Sequence, residues 1–389
     1  MVTLVRPKMP KSKLEYRAVT TFEELRLHAS QWDLLLNRAV QQSPMLSHSW
    51  ISHHLTYFLE ADQSWTCILA YTDERLVGVM TLVFSMRSWP VRHVIARSPF
   101  GSHLNMGDML CDASLADDIV PGILGFTFAS YPSLAYIELP RVSTESTTIG
   151  TWPAGSQLFT VSFGKRTFGD HLPPQDDFDA FEKTLSRNFR KNLSKAKNKL
   201  AKLDDVSFEY LQSDFDVTDC LTRFCNIERS GWKGRSGTAI AESSILVDFY
   251  SAVLGGLGKI GILEWHFLKC RDADLAGHMA FRIRNKLVLW KLAYNETYSA
   301  CSPGSLLMRD LVAREIDAGT GTEIDLTTDQ VWYRNWNLVN RSYYQIFIYN
   351  KSYHLGSIYR FIHGAYAALK KNPALRRIRI TIKSFFRRS

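Results

Sequence analysis

The residues best able to do chemistry lie between Gly261 and Trp336. Residues 275–316 read as two strand-like stretches, a polar turn, the tetrad Ser302-Pro303-Gly304-Ser305 and an amphipathic helix. A strand that runs into such a turn and then a helix sets unpaired backbone N–H groups at the positive end of a helix dipole. That is an anion site, suited to a phosphate or pyrophosphate. Gly304, having no Cβ, admits a ligand close to the backbone. The same tetrad also serves as a plain helix start, with proline in the first turn. His278 stands on a strand among Leu275, Ala276, Met279 and Phe281. Titrating near neutrality, an imidazole there suits removal of a proton from an amine or hydroxyl that attacks a thioester, though a core histidine has the same surroundings. Asp325 ends a short strand and can orient His278, hold a substrate cation or cap the loop from Thr327 to Gln330. Trp332, Tyr333 and Trp336 follow it.

The elements that must position these residues follow from periodicity. Residues 14–60 read as helical, with Phe22, Leu25, His28, Trp32, Leu35 and Leu36 on one stripe and Trp50, His54 and Tyr57 opening a second. The period then shortens: residues 66–71, 75–86 and 91–96 are rich in Val, Ile, Leu and aromatics, and Asp73-Glu74 offers a turn. A Gly/Pro/Thr/Ser-rich stretch from Ser143 to Ser156 precedes strand-like residues 158–163. Phe178, Phe181, Leu185, Phe189, Leu193, Ala196, Leu200 and Leu203 predict one helix over 177–203, capped by Asp176 or Asp177 and basic on its other faces. Beyond it, strands are expected at 206–211, 260–268, 276–283, 287–293, 323–326 and 343–349, and helices at 218–228, 243–257 and 306–317. The order helix, helix, antiparallel strands, strand, helix, strand is complete in this half and partial in the first, without a residue-level repeat. Two related α+β domains are expected, at 14–170 and 204–350, joined by the basic helix at 176–203 and followed by a tail at 351–389.

Ala276-Gly277-His278, Ala293-Tyr294, Ser302-Pro303-Gly304, Asp325 and Tyr333 together resemble the C-terminal half of GNAT-type acyltransferases of the cellulose-biosynthesis-associated CelD/BcsL group, distant relatives of the Fem peptidyltransferases. The resemblance extends loosely over residues 15–350. Two departures stand out: Thr327 and Thr328 replace glycines after the Asp, and Arg334 replaces a Lys after the Tyr. The resemblance implies two tandem GNAT-like domains with mixed, mostly antiparallel sheets flanked by helices. It also implies acetyl-CoA or another acyl-CoA as co-substrate, with no metal. Backbone N–H groups of Ser302, Gly304, Ser305 and Leu306 would then face the pyrophosphate, and the strand Leu289–Tyr294, including Leu292 and Tyr294, would pair with the pantetheine arm. His278 would be the base, Asp325 its partner or a substrate contact, and Tyr333 the proton donor, with Glu264 and Glu228 in reserve. The implied activity is N- or O-acyl transfer to an amine or hydroxyl of a sugar, amino acid or lipid precursor in envelope or polysaccharide biosynthesis. Two other functions fit the same fold: a Fem-like transferase taking an aminoacyl group from tRNA, and a non-catalytic scaffold.

Charge narrows the partners. The chain has 389 residues and a net charge of +9, but residues 351–389 hold ten Lys/Arg and no acid, and residues 183–203 eight more and no acid. The remaining body is acidic, with 29 Lys/Arg against 38 Asp/Glu. This excludes a uniformly basic nucleic-acid coat. In the tail, Leu355, Ile358, Ile362, Ala365, Tyr366 and Leu369 form one apolar stripe, and Leu375, Ile378, Ile382, Phe385 and Phe386 a second among arginines, either side of Pro373. Basic amphipathic helices of this kind suit an anionic bilayer, docking on the protein's own body, or nucleic acid. Residues 1–13 carry no apolar run behind their basic start, so a cytoplasmic protein is expected, peripheral on the inner membrane face if the tail binds lipid. The uncharged stretch Ile119–Ile137, broken by Pro121 and Pro132, reads as buried core. Six scattered cysteines read as reduced, mostly buried thiols.

Overall fold

The computed structural model describes residues 13–88, 92–152 and 156–371. The chain opens with β1 (Glu15–Val19), α1 (Phe22–Leu27), α2 (Ala29–Arg38), α3 (His48–Phe58), β2 (Ser64–Thr72), β3 (Arg75–Arg87), β4 (His93–Arg97) and β5 (Leu110–Cys111). Then come α4 (Ala116–Ser130), β6 (Leu134–Ser143), α5 (Thr147–Gly150), β7 (Phe159–Leu172), α6 (Phe178–Thr184), α7 (Arg187–Leu200), β8 (Val206–Leu211) and α8 (Val217–Ser230). The rest is α9 (Trp232–Arg235), α10 (Ser244–Lys259), β9 (Leu263–Cys270), β10 (Ala273–Ile283), β11 (Lys286–Tyr294), α11 (Pro303–Asp317), β12 (Glu323–Asp325), β13 (Val339–Asn350) and α12 (His354–Lys371). This is the expected α+β fold, with mixed sheets flanked by helices.

The residues form two compact units that are interleaved in sequence, where consecutive domains at 14–170 and 204–350 were expected. The first takes the described residues of Met1–Gln41, Phe58–Lys165 and Tyr344–Ser389, and the second Gln42–Tyr57 and Arg166–Tyr343. The physical reason is local. Trp50 of α3 packs edge-on against Phe281 and Trp290, each 5.4 Å between ring centres, and Ser49 Oγ donates to the Val253 carbonyl at 3.1 Å. Burying that indole among aromatics of β10 and β11 commits the helix to the second unit.

In the first unit the strand order is β1-β2-β3-β4-β6, continued by the C-terminal part of β13 and the N-terminal part of β7. Ile119, Val120, Ile123 and Leu124 of α4 are fully buried beneath β2 and β3, so the uncharged stretch is core, as expected. Residues 15–19 form an edge strand antiparallel to β2 and correct the helical reading of 14–60. Thr21, which caps α1 through the Glu24 N–H, ends the extended segment before the helical stripe begins.

Helix α12 also corrects the reading of the tail. Leu355 and Tyr359 are buried against Ile95, Ala135, Tyr136 and Tyr349, while Ile358 is 40% exposed, so the buried stripe is rotated by about one residue from the expected one. The side chain of Leu369 and the second stripe, 375–386, lie outside the described residues.

In the second unit the order is β12-β11-β10-β9-β8, with the end of β7 pairing β12. All neighbours are antiparallel except β11 and β12. The basic helix expected over 177–203 is broken in two. Leu185 is extended and Ser186 caps α7 by accepting from the Phe189 N–H at 3.2 Å, a competing local bond that stops the first helix. Asp177 caps α6, as expected. Leu193, Ala196 and Leu200 of α7 are buried with Cys301 and Leu306, so α7 lies against the turn before α11 and against α11 itself. All six cysteines are free, and all but Cys270 are buried.

Candidate active site

The site begins where two parallel strands part. β12 follows β11 over Lys286, Leu287 and Val288 only. The Leu326 N–H then bonds the Asp170 carbonyl, and the chain turns away through Thr327 at φ 58°. From Leu289 to Tyr294, β11 keeps β10 on one edge, while no strand among the described residues covers the other. A bulge leaves Trp290 unpaired, since Met279 faces Lys291 and Ala280 faces Leu289. An extra residue of this kind frees backbone groups from the ladder. The bare edge borders a cleft of about 750 Å³, to which all five residues from Trp290 to Tyr294 contribute.

Across the cleft lies the start of α11. Ser302 is in the left-handed region at φ 46°, and its hydroxyl makes no capping bond. The tetrad is a helix start with Pro303 in its first turn, as the plain reading has it, but without a side-chain cap. Of the four N–H groups assigned to an anion, three are spent: Ser302 donates to Ser299, and Ser305 and Leu306 to the Ser302 carbonyl. Gly304 is left, with Ser302 and Ser305 beside it in the cleft wall. Leu306 is buried in the core instead, which removes it from the expected set. A Cβ on Gly304 would stand 3.7 Å from Tyr294, an ordinary contact, so packing within the protein does not demand glycine here.

His278 lies on β10 opposite Leu292, at the cleft wall and 1% exposed. Neither ring nitrogen has a hydrogen-bond partner. Burial holds its pKa well below the ordinary 6.5, and the neighbouring His266 adds to that, so the ring is neutral at physiological pH. The expectation that Asp325 orients it is corrected. Asp325 accepts from the Thr327 N–H at 2.7 Å and from Arg341 at 2.9 Å, and is absent from the cleft wall. The first of these bonds steadies a β-branched residue in a conformation that favours glycine, which is how threonine occupies the position. Glu264, a reserve candidate, is likewise committed to Arg282, which also binds Glu315 at 2.7 Å.

Tyr333 lines the cleft beside Thr328 and is 4% exposed. Burial pushes its phenol up to about 12, against a hydrogen bond with Thr328, so it remains a proton donor at any working pH. The aromatic rim also includes Trp232, Trp332 and Tyr294, which are 60%, 43% and 43% exposed. Glu228, the other reserve carboxylate, does reach the cleft. It accepts from Lys233 at 2.6 Å and from the Ile240 N–H at 2.8 Å. Burial alone would raise its pKa, but Lys291, Lys233 and that N–H together lower it. Glu296 closes this side by accepting from the Trp232 N–H at 2.8 Å and Arg235 at 2.7 Å.

The structure therefore gathers His278, Leu292, Tyr294, Ser302, Gly304, Ser305 and Tyr333 around one cleft and leaves out Asp325 and Leu306. Sequence reading missed Trp232, Lys233 and Glu296, and took Trp290 and Lys291 only as part of the strand Leu289–Tyr294, without a role for their side chains. The one signal for Lys291 was a lone charge inside an apolar strand. Among the described residues, no group of three or more His, Cys, Asp or Glu could hold a metal ion, and no single helix is long and apolar enough to cross a membrane.

Comparison with known proteins bears on the fold. Residues 187–334 match the acetyltransferase (GNAT) domain family. Among solved structures, the chain is similar to FemX, with a TM-score of 0.60 at 11% identity over 90% of this chain and 100% of that one. It is more distantly similar to L-PGS from Bacillus licheniformis, with a TM-score of 0.46 at 10% identity over 86% and 95% of the two chains. A tandem GNAT protein from the clavulanic acid biosynthesis pathway gives 0.39 at 9% over 87% and 98%. No curated protein matches the sequence. The second unit thus carries an acetyltransferase (GNAT)-like domain, and the cleft lies within it.

Proposed function

We propose that the protein is an acyl-CoA-dependent N- or O-acyltransferase. The observation that carries this reading is the meeting, in one cleft, of a bare strand edge, a helix start without a side-chain cap and a neutral buried histidine. A pantetheine arm carries amides that can extend the sheet along Leu289–Tyr294, as added strands generally do. Its pyrophosphate would lie against Gly304, Ser302 and Ser305, where the dipole of α11 favours negative charge. The chemistry then balances in four movements. The acceptor nitrogen or oxygen bonds the thioester carbon, and its proton passes to His278. The carbon–sulfur bond breaks, and the departing thiolate takes a proton from Tyr333. Backbone N–H groups freed at the Trp290 bulge can face the carbonyl oxygen as charge develops on it.

Membership of the CelD/BcsL group, an envelope-precursor acceptor and attachment of the basic tail to an anionic membrane are the finer parts of this proposal. A second reading has its own support. Arg187, Lys191, Lys195, Lys197 and Lys199 stand exposed on α7, beside the turn that opens α11, so a nucleic-acid donor such as aminoacyl-tRNA would meet cations on leaving the cleft.

Calorimetric titration of the full chain with acetyl-CoA and longer acyl-CoAs, and with tRNA across a salt series, separates the two. Saturable acyl-CoA binding supports the first. Binding of tRNA alone, weakening steeply with salt, supports the second. A folded chain that binds neither is a scaffold.

A further inference from the structure

The apolar run of β11 is interrupted by one charge, Lys291. It pairs across the ladder with Met279, next to His278 in sequence, so Lys291 and His278 point to opposite faces of the sheet. Both line the same cleft, which therefore reaches round the bare edge of β11. The face of Lys291 is covered by α8 and α10. A Cβ on Gly277 would meet Ile227 of α8 at 3.0 Å, and the Lys291 ammonium lies 5.3 Å from the centre of the Tyr250 ring of α10.

The charges on this wall do not cancel. Glu228 is the nearest acid, but Lys233 holds one of its oxygens at 2.6 Å and the Ile240 N–H the other at 2.8 Å. Lys291 feels Glu228 at a distance and has no carboxylate in ion-pair range among the described residues. Burial lowers its pKa, with Glu228 and Cys225 opposing. Lys291 is half-buried at the cleft wall, and a cation partly withdrawn from water without a partner carries a cost that a ligand anion would offset. The Tyr250 ring face supplies only part of the compensation.

We infer that Lys291 recognises the acceptor, and that the acceptor bears an anionic group, a carboxylate or a phosphate, which pairs with this ammonium while the nucleophile reaches past the bare edge to His278. The inference rests on the acyltransferase reading and adds the chemical class of the second substrate. It also fits the division of the cleft, in which the Gly304 end is left to the donor.

The test uses matched amines that differ only in the acid: alanine against alaninamide for the carboxylate, and glucosamine 6-phosphate against glucosamine for the phosphate. Affinities are measured calorimetrically with the full chain. The parent is expected to bind the acidic member of one pair at least tenfold more tightly. Lys291→Gln should bring that member down to its neutral counterpart, and Lys291→Arg should restore the preference. The identity of the preferred pair separates carboxylate from phosphate. Circular dichroism checks that the Gln variant folds, and the Arg variant gives the answer if it does not. A parent that binds neither acidic member, or binds both members of each pair alike, overturns the inference, as does a preference that survives Lys291→Gln. Titration with acetyl-CoA is independent of these arms. Donor binding without acid preference sinks Lys291 alone, whereas acid preference without donor binding sinks the acyltransferase reading.

Discussion

Both units contain a strand, a helix and a parallel return strand, yet only the second parts them. In the first unit β6 follows β4 to its end, from Val94 opposite Leu134 to Arg97 opposite Glu138, and the Ser98 N–H bonds the Glu138 carbonyl at 3.0 Å. Arg97 and Glu138 add an ion pair at 3.7 Å. The helix that follows, α4, carries Asp117 and Asp118 in its first turn. In the second unit the return strand leaves after three residues, and α11 has no acid in its first turn. The same arrangement therefore builds solid core when the strands stay paired and carboxylates occupy the helix start. It leaves an open cleft, the one proposed to take the donor's anion, when neither holds. The decisive variables are a few backbone bonds and two charges.

The sharpest way to break this contrast is to remove the imidazole proposed as the base of the cleft. Each unit has a histidine whose pKa is held down by burial. In the first it is His363, bonded through Nδ1 to the Tyr349 hydroxyl at 2.9 Å and packed among rings, a structural role. In the second it is His278, with both nitrogens free. His278→Ala is expected to lower kcat by about 10² to 10⁴, the usual contribution of a positioned base, while acyl-CoA affinity holds. His363→Phe should leave turnover alone. Steady-state kinetics on both variants decides, and an unimpaired His278→Ala enzyme would clear this histidine of the role.

A smaller effect comes from giving α11 the charge pattern of α4. Ser305→Asp places a carboxylate in the first turn, where the helix dipole favours it by about 0.3–1 kcal/mol. Stability should rise slightly. Acyl-CoA affinity should fall by roughly tenfold or more if the pyrophosphate lies at this turn as proposed, because the new charge would then repel it at short range. Opposite signs in a thermal melt and a binding titration make the result diagnostic. Equal affinity in parent and variant would move the pyrophosphate away from this turn.

How much of this was legible beforehand depends on the range of the cause. The helix start at the Ser302 tetrad, the strand bearing His278 and the helix α11 are local patterns, and all three elements lie where they were expected. Asp325 does cap the loop at Thr327, one of the roles open to it, but its pairing with His278 was misassigned because its partner, Arg341, is sixteen residues away and on another strand, where spacing says nothing about contact. Lys291 was passed over because its neighbours in sequence are apolar, while the residues that give it meaning, Glu228 and Tyr250, come from α8 and α10. The parting of β11 and β12 depends on a left-handed threonine held by a carboxylate, a feature of backbone geometry that composition does not display. Helix α3 looked like part of the first unit since nothing in its own stripe reveals that Trp50 will pack on Phe281.

The same two histidines give the most finely graded comparison, through stability against pH. Each has a folded-state pKa below the ordinary 6.5, about 4 for His363 and well below 6.5 for His278. Above pH 6.5 neither state binds the proton, and each site contributes fully. Below it the unfolded chain takes up a proton that the folded chain refuses, so stability falls with pH, by at most about 1.4 kcal/mol per pH unit and site. For His363 the loss ends near pH 4. Replacing either residue by Asn should flatten the decline between pH 6.5 and 5 by up to that slope, measured by urea unfolding at half-unit intervals. The flattening should match for the two variants, because burial rather than catalysis is its cause, even though only one of them affects turnover. If His278→Asn left the pH slope unchanged, the folded ring would take up its proton as readily as the unfolded one, and burial would not be what keeps it neutral.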